Sequence, residues 1–196
     1  MKQKAHFNPK SKLWIISLVV MIILSAAVIF GTNAIYDFAN KKYNEPVEIS
    51  FEIVSTSEVD ISKMNTKEYG ISKVLEAYDA QNRLVAYIVE GSVIGYNQES
   101  PIEMSSVISA DGTLVCGVDI LAQQETEYLG VRIAGDEFTS QFDGRYLPVV
   151  SGNGTDKGSK IDMLANSTIS SQAVIDGVNN AQAFVEANFA SAQIAE

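Results

Sequence analysis

The chain has one cysteine and one histidine in 196 residues, Cys116 and His6. A single thiol cannot build a disulfide framework, a cysteine-ligated iron–sulfur cluster or a thiolate zinc site. Because His6 lies ahead of a long apolar run, the rest of the chain has no imidazole for a metal, a haem or a histidine-dependent nucleophile. Cys116 lies in the β-prone stretch 114–118 and is interpreted as a small apolar strand residue. No catalytic or metal-ligating residue is predicted.

Positive charge is also scarce, with 14 Lys and Arg against 24 Asp and Glu and a net charge of -10 at pH 7. All of the acidic residues follow Tyr36, whereas four lysines precede the apolar run. Nucleic acid is excluded as a partner, since phosphate backbones are bound by clustered Lys and Arg. The acidic residues are scattered and lack EF-hand spacing, so they are interpreted as a solvated surface.

Charge is missing altogether between Leu13 and Phe30. Extended to Tyr36, this run supplies roughly the ~20 residues that cross ~30 Å of hydrocarbon. It predicts four segments: a cytoplasmic tail at 1–12, a transmembrane helix at 13–36, a juxtamembrane segment at 37–72 and an extracytoplasmic domain at 73–196.

The orientation of that span follows from the lysines before it, which are Lys2, Lys4, Lys10 and Lys12. The positive-inside rule predicts a cytoplasmic N-terminus in the cell (inner) membrane, with lipid around a single span and the acidic domain outside. A cleaved signal peptide is the alternative, with the small residues of 31–34 as a weak cleavage site.

The sequence that follows the apolar run predicts an α+β domain, in which a C-terminal helix packs against a small antiparallel sheet. Strand-like runs are 48–54, 74–78, 84–89, 102–109 and 114–121, and Asp111-Gly112 is a strong hairpin turn signal. An amphipathic piece follows at 138–142. The last element, from about Ser171 to Ala190, carries an apolar helical face, and Ser170 or Ser171 is expected to cap it. The residues of that face are Val174, Val178, Ala181, Val185 and Phe189.

A polar loop before this helix, Asp162 to Ser171, contains Thr168. Helix N-termini present free N–H groups and a partial positive charge, so a hydroxyl there suits a phosphate group. Taken alone, the loop is more typical of an ordinary helix cap than of a phosphate site.

Several segments in order resemble the FMN-binding domain family over about 84–189. They are the Thr168 loop, the Glu125-Thr-Glu-Tyr-Leu-Gly130 loop, the Phe138–Gly144 piece and the helix start at 169–179. The resemblance implies an FMN-binding domain at 73–196. In the family, a threonine at the position of Thr168 carries FMN through a phosphoester bond.

The resemblance also implies roles for neighbouring residues. The amides of Ile169, Ser170 and Ser171 would hold the phosphate, and Ser167 and Ser170 are the fallback attachment hydroxyls. The 125–130 loop would lie against the flavin ring, through Thr126, Leu129 and Gly130 with Glu125 beside them. Asp162 would be recognised by the flavin transferase that attaches FMN.

Five positions depart from the family's usual residues. Ala165, Asn166 and Ser167 stand where it usually has Ser, Gly and Ala, and Glu127 and Tyr128 stand for Pro and Gly. Asn tolerates left-handed backbone and Ser is close to Ala in size, so the attachment loop is expected to keep its shape.

One apparent span followed by one external flavin domain resembles the G subunits of Rnf-type ferredoxin:NAD oxidoreductases, with C subunits of sodium-pumping NADH:quinone reductases as relatives. This resemblance implies an electron-relaying subunit that is inactive alone and has integral and peripheral subunits as partners. Small residues such as Ser25 and Gly31 would pack its helix against the integral subunits. The alternatives are an FMN subunit of another membrane chain, serving a quinone reductase or extracellular electron transfer, and a bitopic binding domain without a cofactor.

Overall fold

The computed structural model describes residues 10–152 and 157–189, so the first nine residues of the predicted tail lie outside it. The helices are α1 Lys10–Asn44, α2 Thr66–Tyr69, α3 Asp136–Thr139 and α4 Thr168–Asn188, with 3₁₀ turns at Gly130–Ala134 and Ser140–Phe142. The strands are β1 Ser55–Glu58, β2 Ile71–Tyr78, β3 Leu84–Val93, β4 Ile102–Ser109, β5 Leu114–Ala122, β6 Arg145–Tyr146, β7 Val149–Ser151 and β8 Ser159–Ile161.

The chain divides into two compact units, one ending at Lys41 and the other beginning at Lys42. The first consists of most of α1, whose large apolar side chains from Val19 to Phe30 are exposed where they are described. Among the described residues, no helix has both the length and the apolar character needed to cross a membrane. The second unit contains the sheet and α4, together with β1 and α2 from the 37–72 segment.

The second unit is built on a six-stranded antiparallel meander in the order β1-β2-β3-β4-β5-β6. Left-handed residues make two of its turns: Asn82 (φ 59°) lies between β2 and β3, and Gly112 (φ 72°) lies in the Asp-Gly turn between β4 and β5. A short parallel pair, β7 with β8, forms a second sheet. The predicted α+β domain with an antiparallel sheet is confirmed, and four of the five predicted strand runs fall within β2 to β5.

The predicted strand at 48–54 is wrong. Its alternating pattern is real, because Ile49, Phe51 and Ile53 are half-buried between exposed neighbours. The segment pairs with no strand of the sheet, and β1 begins only at Ser55, which pairs with Tyr78. Alternation in sequence reports which side of an extended chain is buried, and strand pairing needs a free sheet edge as well.

The core lies between the sheet and α4, which packs on β3 and β4. The predicted apolar face of α4 is confirmed, since Val174, Val178, Ala181 and Val185 are buried and Phe189 packs against the same cluster. Gly177 lets the helix approach the sheet, because a Cβ there would overlap Met104 Sδ. The C-terminal helix is thereby fixed on the sheet, and its first turn has a fixed position.

The start of α4 differs from the prediction. The helix begins at Thr168 with Ser167 as the N-cap residue, three residues ahead of the predicted start. Ser170 and Ser171 are buried in the first turn and do not cap it. Their hydroxyls are bonded to other segments, Ser170 to the side chain of Glu125 and Ser171 to the amide of Leu164.

Candidate functional site

One cavity of about 370 Å³ lies at the start of α4. This volume falls in the range of small-molecule sites, about 300–1,000 Å³. Six of the predicted site residues line it, together with Tyr96 and Asn166. The six are Thr126, Leu129, Ser167, Thr168, Ile169 and Ser170. The structure therefore joins two loops that are about forty residues apart in the sequence.

The first turn of α4 leaves donors without intrahelical partners. The helical ladder begins with the amide of Ser171, which donates to the Ser167 carbonyl at 2.9 Å. The amides of Thr168, Ile169 and Ser170 therefore have no acceptor within the helix, and no side chain caps it. Their donors and the helix dipole make this end attractive to an anion. Because its amide is already bonded, Ser171 does not supply the free N–H predicted from the sequence.

The hydroxyls of this segment differ in accessibility. Thr168 is exposed and lines the cavity. Ser170 is only 1% exposed, and its Oγ donates to Glu125 Oε2 at 2.6 Å. Ser167 is 4% exposed, and its Oγ has no hydrogen-bond partner. Thr168 therefore has the hydroxyl that an incoming group can reach.

Asn166 sets the loop geometry just before the helix. Its φ of 63° lies in the left-handed region, which asparagine tolerates better than most residues. The departure from the family's glycine is thus compatible with the backbone that the loop adopts. The amide of Ser167 donates to the Leu164 carbonyl at 3.0 Å and closes the turn.

Glu125 is a buried carboxylate that ties three segments around the cavity. Its Oε2 accepts from Ser170 Oγ and from the amide of Tyr96 at 3.2 Å, and its Oε1 accepts from the amide of Asn97 at 3.2 Å. The β3–β4 loop, the loop after β5 and the first turn of α4 meet at this one side chain. Glu125 does not line the cavity itself.

The loop from Glu125 to Gly130 is held by short-range contacts. Thr126 Oγ1 accepts from the amide of Gly130 at 3.1 Å. A Cβ on Gly130 would come within 2.6 Å of Glu125 Cβ, so only glycine fits there. Tyr128, with φ of 64°, is 85% exposed beside the cavity residue Leu129. The glycine is thus required for packing inside the loop and does not itself line the cavity, and its contact with the flavin stays a prediction.

Asp162 is exposed and lies outside the cavity, on the stretch between β8 and α4. Its amide donates to Gln141 Oε1 at 2.7 Å, and its carbonyl accepts from Gln141 Nε2 at 3.3 Å. The Phe138–Gly144 piece, with Phe138 and Phe142 fully buried, thereby supports the chain leading to Thr168. An exposed carboxylate in this position is accessible to another protein.

Tyr96 is the cavity residue that sequence reasoning missed. It follows Gly95 in the loop between β3 and β4. Tyr96 is half-exposed at the cavity, and a Cβ on Gly95 would collide with Glu125 Oε1. An exposed aromatic beside a glycine was the available signal, but its proximity to Thr168 depends on the tertiary fold.

No cluster of His, Cys, Asp or Glu able to hold a metal ion occurs in the described ranges 10–152 and 157–189. Cys116 lies in β5 as expected, and burial raises its pKa to about 11, with further contributions from the carboxylates of Asp111 and Asp143. A thiol with a raised pKa stays protonated and is a poor nucleophile near neutral pH.

We therefore expect native Cys116 to react with iodoacetamide at pH 8 much more slowly than the same thiol in urea, where its pKa returns to its ordinary value. Because the folded pKa is raised, this group's contribution to stability is complete below pH 9 and is lost as the pH rises from about 9 through about 11. Mass spectrometry of the alkylated chain measures the rates, with Cys116→Ser as the unlabelled control. Equal rates with and without urea would contradict the burial of the thiol.

The cavity, the free first turn of α4 and the antiparallel sheet together define a small-molecule-binding α+β domain. The family model described as FMN-binding domain matches residues 95–183, which include both cavity loops. The chain is also 33% identical over 144 residues to the G subunit of the ion-translocating oxidoreductase complex of Methanosarcina acetivorans, covering 72% of this chain and 71% of that one. The chain belongs to the FMN-binding domain family.

Further similarity comes from a second relative and from solved structures. The G subunit of the Na(+)-translocating ferredoxin:NAD(+) oxidoreductase complex of Acetobacterium woodii is 34% identical over 143 residues, 68% of this chain and 66% of that one. The fold matches the C subunit of the Na(+)-translocating NADH-quinone reductase of Parabacteroides distasonis (TM-score 0.53, 19% identity, 72% of this chain and 79% of that one). It also matches NqrC of Shewanella oneidensis (TM-score 0.54, 17% identity, 77% and 72%). At identities of 19% and 17%, the two structural similarities support only the shared fold.

Proposed function

We propose that this chain is an electron-transfer subunit of an Rnf-type ion-translocating ferredoxin:NAD⁺ oxidoreductase and holds FMN through a phosphoester on Thr168. The observation that carries the proposal is the exposed Thr168 hydroxyl at the uncapped start of α4, on the wall of the cavity. The two relatives that are G subunits, at 33% and 34% identity, support the same type of complex.

The residues around the cavity fit a flavin nucleotide. The free amides of Thr168, Ile169 and Ser170 supply donors for a phosphate at the positive end of a helix. Tyr96, Leu129 and Ile169 offer apolar surface suited to a flat ring system, and each is partly exposed. The cavity of about 370 Å³ provides room for a ligand of this size class.

When bound, FMN supplies the electron chemistry, and the protein supplies position and electrostatic environment. Thr168 fixes the cofactor covalently, which prevents its loss outside the cytoplasm. Glu125 sets the relative positions of the two cavity loops and the first turn of α4 through its three hydrogen bonds. Exposed Asp162 is the recognition point for the flavin transferase during maturation.

We also propose that α1 anchors the chain in the cell membrane, with residues 1–12 cytoplasmic and the FMN domain outside. The uncharged run from Leu13 to Phe30 and the exposed apolar side chains of α1 support this. Lipid and the integral subunits of the complex would cover those side chains. The lysines before the run support the orientation.

Co-expression of the full chain with an active flavin transferase tests the proposed function. We expect a band that fluoresces in a denaturing gel and a purified protein with a flavin absorption spectrum that bleaches on reduction. We also expect the chain to pellet with membranes after an alkaline wash and to co-purify with the other subunits of the complex. A dark, colourless chain, under conditions where the transferase labels another substrate, would instead support a binding domain without a cofactor.

A further inference from the structure

Ser167 has a feature that the attachment of FMN to Thr168 does not explain. Among the described side chains, its Oγ is the one buried nitrogen or oxygen atom without a hydrogen-bond partner. Ser167 is 4% exposed and lines the cavity. A buried hydroxyl without a partner costs stability, and a bound ligand that accepts its hydrogen bond would remove that cost.

Ser167 also lacks the capping hydrogen bond that serine normally makes at the N-cap position. An N-cap serine usually accepts a hydrogen bond from the second or third amide of the helix. Here Ser167, with φ of -133° and ψ of 30°, makes no such bond. The hydroxyl and the free amides of Ile169 and Ser170 therefore lie together at the cavity, all able to donate and none paired within the helix.

The other hydroxyls of the segment are already committed. Ser170 Oγ donates to Glu125, and Ser171 Oγ accepts from the Leu164 amide. Thr168 Oγ is the proposed attachment atom. Among the serine and threonine hydroxyls of this segment that line the cavity, only that of Ser167 is left to donate a hydrogen bond to a group held at this helix end.

We propose that Ser167 is a phosphate-binding residue: its Oγ–H donates to the phosphate of FMN and forms, with the amides of α4, an anion site that works before and without the covalent bond. This inference rests on the proposed function. A phosphate oxygen accepts a charge-assisted hydrogen bond, which offsets the cost of burying the hydroxyl. Because the family usually has alanine here, the site would be a property of this chain.

The first test uses the full chain with Thr168→Val, which removes the attachment hydroxyl and leaves reversible binding. Its affinity for FMN and for riboflavin, which lacks the phosphate, is measured by fluorescence titration. Adding Ser167→Ala is expected to weaken FMN binding about tenfold or more and to leave riboflavin binding unchanged. An equal loss for both flavins, or no FMN binding by the Thr168→Val chain, overturns the proposal. In either case the fluorescent gel band of the unmodified chain decides separately whether the proposed function stands.

Thermal unfolding of the chain without flavin provides a second test, in which the same substitution is expected to stabilise the fold although it weakens FMN binding. Ser167→Ala removes an unpaired buried hydroxyl, so its Tm is expected to rise by about 2–4 °C. Ser170→Ala is the matched control, because it removes a paired hydroxyl from the same turn and is expected to lower the Tm. A lower Tm for Ser167→Ala would show that its hydroxyl already has a structural partner, such as a bound water, and would overturn the proposal.

Discussion

Thr168→Val is expected to abolish covalent flavin completely when the full chain is co-expressed with an active flavin transferase. Valine keeps the shape of threonine and lacks the oxygen that a phosphoester needs. Because Thr168 is exposed, the change in folding free energy is expected to stay within about 0.5 kcal/mol. In-gel fluorescence measures the flavin, and thermal unfolding checks the fold.

Thr168→Ser and Ser167→Ala are the matched controls for this loss. Both retain a hydroxyl at position 168 and are expected to keep a fluorescent band, which peptide mass spectrometry would assign to that residue. A band that persists in Thr168→Val, with the flavin mass on Ser167 or Ser170, would contradict the assignment. Burial makes that outcome unexpected, since Ser167 and Ser170 are 4% and 1% exposed and Ser170 Oγ is bonded to Glu125.

The sheet was predictable where turn chemistry marks the strand ends. Asp111-Gly112 supplies the turn that joins β4 to β5, and the predicted run 102–109 coincides with β4. By contrast, β7 and β8 have three residues each, too few for a period to show. Their parallel pairing joins residues ten positions apart in the sequence, such as Val149 and Ser159, and no local residue pattern encodes that.

The residues of the site were predictable from the sequence, but their hydrogen bonds were less so. The hydroxyl residues Ser167, Thr168, Ser170 and Ser171 could each cap a helix at this point of the sequence. Tertiary partners decide the choice: Glu125 engages the hydroxyl of Ser170, and Leu164 donates its amide to Ser171. The helix thus begins earlier than its apolar period suggests. The hydrogen bond from the Tyr96 amide to Glu125 joins residues 29 positions apart, so no local sequence pattern predicts it.

Glu125→Ala is expected to lower the free energy of unfolding by about 2–4 kcal/mol. The substitution removes the acceptor of the buried Ser170 hydroxyl and of the part-buried amides of Tyr96 and Asn97. It also frees the three segments that border the cavity. Urea unfolding of the full chain, monitored by circular dichroism, measures the stability, and the rate of flavin attachment measures the state of the cavity.

Glu125→Gln separates the role of the carboxylate from that of its volume. Glutamine keeps one acceptor oxygen but turns an NH₂ group toward protein donors, so a stability between those of the native chain and Glu125→Ala is expected. Both variants should slow flavin attachment, although Thr168 and Ser167 are unchanged, because the first turn of α4 loses its tie to the β3–β4 loop. If Glu125→Ala kept the native stability and attachment rate, the loops would have to be positioned by their other contacts, such as Asn97 Nδ2 on the Gln124 carbonyl. A loss in stability together with slower attachment would identify one buried side chain as the support for both the fold around the cavity and the loading of its cofactor.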